Sequence, residues 1–547
     1  MTMSEPTLPI TAAAGGYQHE PTRQMRLSRG GGGRLAGAVT GFLSAAVALG
    51  AATLAAAFVR PQASPVIAVG GAAIDRTPPA VKVWATEHFG TYDKLALLAG
   101  IFTVVALIAM LIGVLARRSV VIGIIGIVLF GGFGAFVALS RPESRLSDVL
   151  PSLAGAAAGV IAITALSAAS MPRWPPVRTG RSRWAAEPGI FPRVNRRRFL
   201  LTSASAVAAA AVAGAGGQAL SSRRFNVSAS RAAVKLRKPV SAARTPAAGA
   251  DLKIPGLSPF YTPNPTFYRV DTALVTPQVT TEQWSLRVHG MVDKPLQLSF
   301  SDLMNMPQIA RDITICCVSE TVGGPYVGNA RWQGVRLATI LRAAGIQPGA
   351  DQIVSRDVNG MSIGTPSAVV MDGRDALLAF GMNGEPLPAE HGFPVRMVVP
   401  GLYGYVSACK WIVDMELTTF AAYDAYWTHH GWSQQAPVKT ESRIDTPKAG
   451  PSLSAGTVTI AGVAWATHKG IAEVEVGIDG TWRKAKLAAQ DTISTWRQWY
   501  LTWDASPGRH TIQVRAIDQT GYTQTAVKRR TRPDGATGYH TVQVNVA

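Results

Sequence analysis

The chain has 547 residues, 47% of them hydrophobic and 16% charged, and its 53 Lys+Arg against 33 Asp+Glu give a formal charge of +20. A mean hydropathy of +0.16 is too apolar for a disordered basic tail or an ordinary soluble domain and argues against a nucleic-acid partner. Three cysteines exclude a disulfide framework and a four-cysteine zinc site, and the charge is lopsided: residues 1–250 hold 27 Lys+Arg against 8 Asp+Glu, the remainder 26 against 25.

A basic tail, 1–34, with Arg23, Arg26, Arg29 and Arg34, precedes the first long apolar run. Four uncharged runs follow within 35–170: Leu35 to Val59, Leu95 to Leu115, Val120 to Leu139 and Leu150 to Ala169. Each has the roughly 20 residues needed to cross a hydrocarbon core of about 30 Å. Arg117 and Arg118 sit between the second and third, and residues 171–198 hold eight arginines against the single acid Glu187. Basic residues in short flanks stay cytoplasmic, so an all-α bundle of five transmembrane helices is expected, with the N-terminus inside, a weaker fifth span at 199–220, and the C-terminal half outside the cytoplasmic membrane. Asn195-Arg196-Arg197-Arg198-Phe199-Leu200 resembles a twin-arginine export signal placed internally, although the positive-inside rule alone also accounts for it. That pathway carries folded proteins, so any cofactor would be acquired in the cytoplasm. None of the nine histidines falls in these runs, and there is no C-x-x-C-H, so no haem is expected.

Residues 221–255 read as a flexible basic linker. From 256 to 437 the composition is that of a soluble α+β domain: a helix starts at Ser301 to Met304, another runs from Leu337 to Ala344 before Gly345, and Pro394 to Val399 is an apolar strand before Pro400-Gly401. In 438–547 apolar residues alternate with period two, as in Val474/Val476/Ile478, Ile512/Val514/Ala516 and Val542/Val544/Val546, with turns at Asp479-Gly480 and Pro507-Gly508. This predicts an all-β immunoglobulin-like sandwich.

Polar residues suited to chemistry cluster in four stretches of the mixed domain. They are Asn264-Pro-Thr-Phe267-Tyr268-Arg269; Cys316-Cys317-Val318-Ser319-Glu320 with Asn329-Ala330-Arg331-Trp332-Gln-Gly334; Met382-Asn383-Gly384; and His391-Gly-Phe-Pro-Val-Arg396 with Pro400-Gly401 and Ser407-Ala-Cys409-Lys410-Trp411. In this order they resemble the sulfite oxidase family of molybdopterin-dependent oxidoreductases, in a membrane-anchored bacterial, actinobacterial-like form. The resemblance covers about 256–420, and the sandwich is similar to that family's dimerisation domain.

The resemblance implies one Mo-molybdopterin per chain, with Cys317 as the metal's protein ligand. A soft anionic thiolate suits molybdenum while leaving hard oxo ligands free to transfer; for a lone thiol the plainer reading is a buried free cysteine. It further implies Asn264, Tyr268 and Arg269 on one side of the cofactor, His391, Arg396, Ser407 and Lys410 on the other, with Asp357 as a further candidate. Arg269 and Arg331 join Cys317 as catalytic candidates, although an Arg beside Trp332 also suits a structural stack. The chemistry implied is oxygen-atom transfer, sulfite oxidation being one version. Glu320, where the sulfite enzymes carry an Arg near the ligand cysteine, keeps an S-oxide or N-oxide reductase open as an alternative, and a non-catalytic tethered binding protein is a third. The partners implied are a small oxyanion or S-oxide substrate, an electron-transfer protein or quinone, the lipid bilayer, and a second copy through the C-terminal domain.

Overall fold

The computed structural model describes residues 31–547 apart from 79–80, 82–83, 86–87, 89–92, 142–143, 171–195 and 451. The basic tail up to residue 30 and most of the Arg-rich stretch, 171–195, with Asn195 of the export-like motif, lie outside the described residues. The first half is helical: α1 (Gly31–Val59), α2 (Pro65–Arg76), α3 (Asp93–Ala116), α4 (Val120–Leu139), α5 (Leu150–Ser170) and α6 (Arg196–Arg224). All but α2 are long and apolar enough to cross a membrane. Several overrun the apolar runs that signal them, because an uncharged run marks only the lipid-compatible middle of a helix. α2 has no counterpart among the expected elements; Ser64 and Pro65 start it, a signal hidden by the mixed charge of its surroundings.

Contacts divide the chain into two units. One holds the helical segments up to Ala52, 100–133 and 153–215. Within it α1 and α3 approach through glycine: a Cβ on Gly41 would lie 1.9 Å from the Ala109 carbonyl oxygen, and one on Gly113 2.2 Å from that of Gly37. Small residues let apolar helices pack backbone to backbone.

The other unit holds 53–99, 134–152 and 216–547. A short α7 (Ser228–Ala233) leads into it, and the segment expected to be a flexible linker is instead tied down. The Val240 amide donates to the Gln308 carbonyl at 2.9 Å and the Ala310 amide to that of Ser241 at 3.0 Å, so the segment covers a strand edge whose backbone groups would otherwise be unpaired. Among the described residues the mixed domain has ten strands: β1 (Ser285–Gly290), β2 (Leu296–Ser299), β3 (Gln308–Cys316), β4 (Val327–Arg336), β5 (Gln352–Asp357), β6 (Ser362–Pro366), β7 (Leu377–Met382), β8 (Glu385–Pro386), β9 (Arg396–Val398) and β10 (Ile412–Thr418). They form two sheets, one ordered β2-β1-β10-β5-β6 and the other β3-β4-β7-β8 with β9 on β7. Among the described strands of these two sheets only β1 and β10 pair parallel, Arg287 opposite Asp414. Alternation along β7 sends Leu378 and Phe380 into one core and Leu377 and Ala379 into another, so this sheet is buried on both faces.

The helix expected from Ser301 is α8 (Phe300–Asn305), capped by Ser299, whose Oγ accepts from the Asp302 amide at 3.2 Å. The capping partner three residues before Asp302 sets the start. α9 (Leu337–Ala344) ends at Gly345, in the left-handed region at φ 68°. The strand expected over Pro394–Val399 is confined to β9. The C-terminal region is all-β, two four-stranded antiparallel sheets around one core. The alternating residues Val474, Val476, Ile512, Val514, Val542 and Val544 all point into that core.

Candidate active site

β3 ends at Cys316, whose side chain is in the main core; Cys317 follows it into a loop. There the Cys317 amide donates to the Tyr326 carbonyl at 2.9 Å, and the Ser319 amide donates to the Cys317 sulfur at 3.4 Å. Burial pushes the Cys317 thiol up to about 11, against the Ser319 amide, which favours thiolate. Glu320 folds beneath the loop: one carboxyl oxygen accepts the Tyr326 amide, and the other is buried without a hydrogen bond among the described residues. The all-β domain braces this loop. Arg443 donates to the Gly324 carbonyl at 2.8 Å, and the His540 ring is so close that a Cβ on Gly323 would meet it at 2.2 Å.

Burial pushes Glu320 up to about 7, and Glu441, the first residue of the all-β domain's first strand, up to about 8. The folded chain therefore keeps protons on both carboxyls at pH values where the unfolded chain, titrating near 4.5, has lost them. With more protons bound when folded, stability falls as pH rises from about 4.5 to about 8, opposite to an ordinary ion-paired carboxylate. The thermal midpoint in detergent should decline over that window, and the Glu320→Gln/Glu441→Gln pair should flatten the decline; an unchanged slope would show that other groups cause it.

Arg396 leaves β9 buried, with its guanidinium 4.9 Å over the ring of Trp332. Its Nη1 donates to the His391 carbonyl at 3.2 Å, and no carboxylate pairs with it among the described residues. Burial lowers its pKa to about 10. His391 is buried edge-on to Phe267, with Nε2 3.1 Å from the Asn264 carbonyl. Burial and then Arg396 lower it to about 4, so the ring is neutral at pH 7. Tyr268 completes this group: burial and the Cys317 and Cys316 thiols push its hydroxyl well up, Arg396 opposing. Gly392, at φ 111°, lets the chain turn here, since a Cβ would lie 3.0 Å from that of Arg396 and 3.1 Å from that of Lys410.

Asp271, absent from the sequence expectations, organises the cationic side. Its carboxylate accepts from Lys410 Nζ at 2.7 Å, Arg269 Nε at 2.8 Å and Lys94 Nζ at 2.9 Å. These cations hold its pKa far below the ordinary range despite burial. Lys410 also donates to the Glu390 carbonyl at 3.2 Å, and burial lowers it to about 8. Asp271→Asn leaves a buried ammonium without its counter-charge and should cost about 3 kcal/mol, read as a lowered denaturation midpoint in detergent; a loss below about 1 kcal/mol would mean that water or another acid compensates Lys410.

The remaining candidates are engaged in local structure. Asn264 Oδ1 accepts from Asn383 Nδ2 at 2.9 Å, which ties it to the Asn383-Gly384 turn. Ser407 Oγ donates to the Leu402 and Tyr403 carbonyls. Asp357 accepts the Asn359 and Met361 amides at 2.8 and 3.0 Å, and burial raises it to about 7. Arg331 is not brought to the cluster. Its guanidinium pairs with buried Asp312 and donates to Tyr261 Oη at 2.6 Å. Neighbours in a strand face opposite sides, so the arginine that stacks on Trp332 is Arg396, reached across the sheet.

A thiol, a buried guanidinium without an acid among the described residues, three further cations on one carboxylate, and a glycine turn fit a phosphorylated, anionic cofactor with a soft-metal ligand. Asp271, Lys94, Arg443 and His540 escaped sequence reading because tertiary contact alone joins them to the site. The one local signal was Arg269 two residues before Asp271.

A model of the oxidoreductase molybdopterin binding domain matches residues 273–427, and one of a bacterial Ig domain matches 441–514. Human mitochondrial sulfite oxidase is 30% identical over 315 residues, 48% of this chain and 57% of that protein. The chain thus spans little more than half the length of that relative. The uncharacterized oxidoreductase YuiH of Bacillus subtilis is 35% identical over 150 residues, 27% of this chain and 72% of that one. Nitrate reductase [NADH] 1 of rice is 28% identical over 308 residues, 44% of this chain and 33% of that protein. The chain belongs to the sulfite oxidase family of molybdopterin-dependent oxidoreductases.

Proposed function

We propose that the chain is a membrane-anchored molybdenum enzyme that transfers an oxygen atom to or from a small substrate on the outer face of the cytoplasmic membrane. The observation that carries this reading is that Cys317, whose amide bonds to Tyr326, and buried Arg396, stacked over Trp332 with no carboxylate partner among the described residues, flank the Phe267-Tyr268 ring pair, which touches both Tyr326 and Trp332. When bound, the cofactor supplies oxo-transfer chemistry coupled to two electrons. Cys317 would ligate the metal, the Ser319 amide steadying its thiolate. Arg396 and neutral His391 would hold the pterin side. Lys410, Arg269 and the Asp357 turn would take the polar end, with Asp271 fixing the cations, and Asn264 and Ser407 would shape the walls.

Glu320 gives no reason to exclude an anionic substrate. Its carboxyl is folded under the loop on the Tyr326 amide, and a group pushed up to about 7 carries partial charge at most at neutral pH. An oxyanion is therefore preferred, with Arg269, the more exposed cation, to draw it in; relatives are named for sulfite and for nitrate. Five apolar helices support the anchor, Arg196–Arg198 at the start of α6 support export of a folded domain, and the all-β domain is the proposed dimer surface. Purified full-length chain from a host that makes the cofactor should contain about one molybdenum per chain and reduce ferricyanide with sulfite. Metal-free protein would end the enzyme reading. Metal-loaded protein that is inert to sulfite but oxidises reduced viologen with an S-oxide would reverse the direction of turnover.

A further inference from the structure

The sequence carries no C-x-x-C-H, and its three cysteines are too few for a four-thiolate iron–sulfur cluster, so electrons from the proposed site need an exit. A partly open cavity of about 110 Å³ lies among α2, the end of α4, the residues before α5, and the turns 272–275 and 358–361. Its wall is mostly apolar, with Ile67 and Ala68 of α2, Ala138, Leu274 and Met361 among the lining residues. Its charges cancel: Arg60 donates to Asp148 at 2.9 Å, Arg141 pairs with Asp75, and Tyr426 Oη donates to Asp75 at 3.3 Å. A lining without net charge disfavours a phosphate and suits a neutral ring with polar ends. The cavity's enclosed volume, below the roughly 150 Å³ of a closed cavity that accepts benzene, leaves part of a substituted ring in the open mouth.

Two of its walls continue from the candidate active site. Thr272 follows Asp271; Val358 follows Asp357, and its amide donates to the Trp411 carbonyl at 3.2 Å, beside Lys410. Two more come from the ends of long apolar helices, which the proposed anchor would set at the bilayer.

We propose that this cavity binds the ring of a quinone, the acceptor for electrons from the active site. Both quinone carbonyls become hydroxyls by taking two electrons and two protons. The electrons leave the substrate as water supplies its new oxygen and releases two protons, so substrate, water and quinone give oxidised substrate and hydroquinone. The electron source rests on the reading above; binding does not.

Full-length chain in detergent is titrated with decylubiquinone and followed by tryptophan fluorescence. Saturable binding is expected for the wild type and equally for metal-free Cys317→Ser. Ala68→Trp, which fills the cavity, should weaken it about tenfold, and Tyr426→Phe, which keeps the shape, several-fold. Equal binding by both variants, no saturable binding by the wild type, or displacement by phosphatidylglycerol at equal concentration overturns the assignment. Ferricyanide turnover without quinone binding would remove the cavity's role and leave the molybdenum reading; quinone binding by a chain that never takes up molybdenum would do the reverse.

Discussion

Cys317→Ser is expected to give a folded chain with about a hundredfold weaker hold on molybdenum and no substrate-dependent turnover. A hydroxyl is a hard and weakly acidic donor, and this one would sit in the same loop, where burial already pushes even the thiol up to about 11. Deprotonation there depends on the metal's own charge, which a thiol uses far more readily than an alcohol. The loop itself should survive, because its bonds run through the Cys317 backbone, Tyr326 and Glu320 rather than through the sulfur alone. Cys316→Ser supplies the contrast. Its side chain belongs to the main core, so about 1 kcal/mol of stability should go while metal content is kept. Metal retained by Cys317→Ser, or lost from Cys316→Ser alone, would place the ligand elsewhere.

The second large effect has opposite signs in two states. Arg396→Met should raise the thermal midpoint of the cofactor-free chain by about 2–4 °C, since a buried charge without an acid partner is costly and an apolar side chain over Trp332 is not. The same substitution should weaken cofactor retention by about a hundredfold, the roughly 3 kcal/mol of a desolvated charge contact. Arg396→Lys should fall between, keeping the charge but losing the planar stack. Differential scanning of metal-free protein, with pterin assay of matured protein, reads both. A variant destabilised in the metal-free state would mark Arg396 as structural.

Much of this was legible in the chain itself. Uncharged runs locate the long helices, period two locates the strands of the all-β domain, and Leu337–Ala344 reads as a helix because Gly345 stops it. The cysteine loop was legible through its neighbours in order. Asp271 was not, because its importance lies in drawing Lys410 and Lys94 from positions far apart in sequence. Arg331 carries two readings, a catalytic one from the resemblance and a stack on Trp332, and the structure turns its guanidinium to Asp312 instead. Adjacency to Trp332 suggested stacking, yet in a strand adjacency means opposite faces, and only the pairing of β9 with β7 shows which arginine reaches the ring. Glu320 looked like a charge facing the substrate, whereas burial and the Tyr326 amide make it a brace.

The most direct test of the central claim is the molybdenum X-ray absorption spectrum of purified full-length protein, compared with that of Cys317→Ser protein loaded with cofactor in excess. The wild type should show one more sulfur neighbour than the pterin dithiolene supplies, and the variant should lack it. Identical sulfur shells in the two spectra would contradict Cys317 as the metal's ligand.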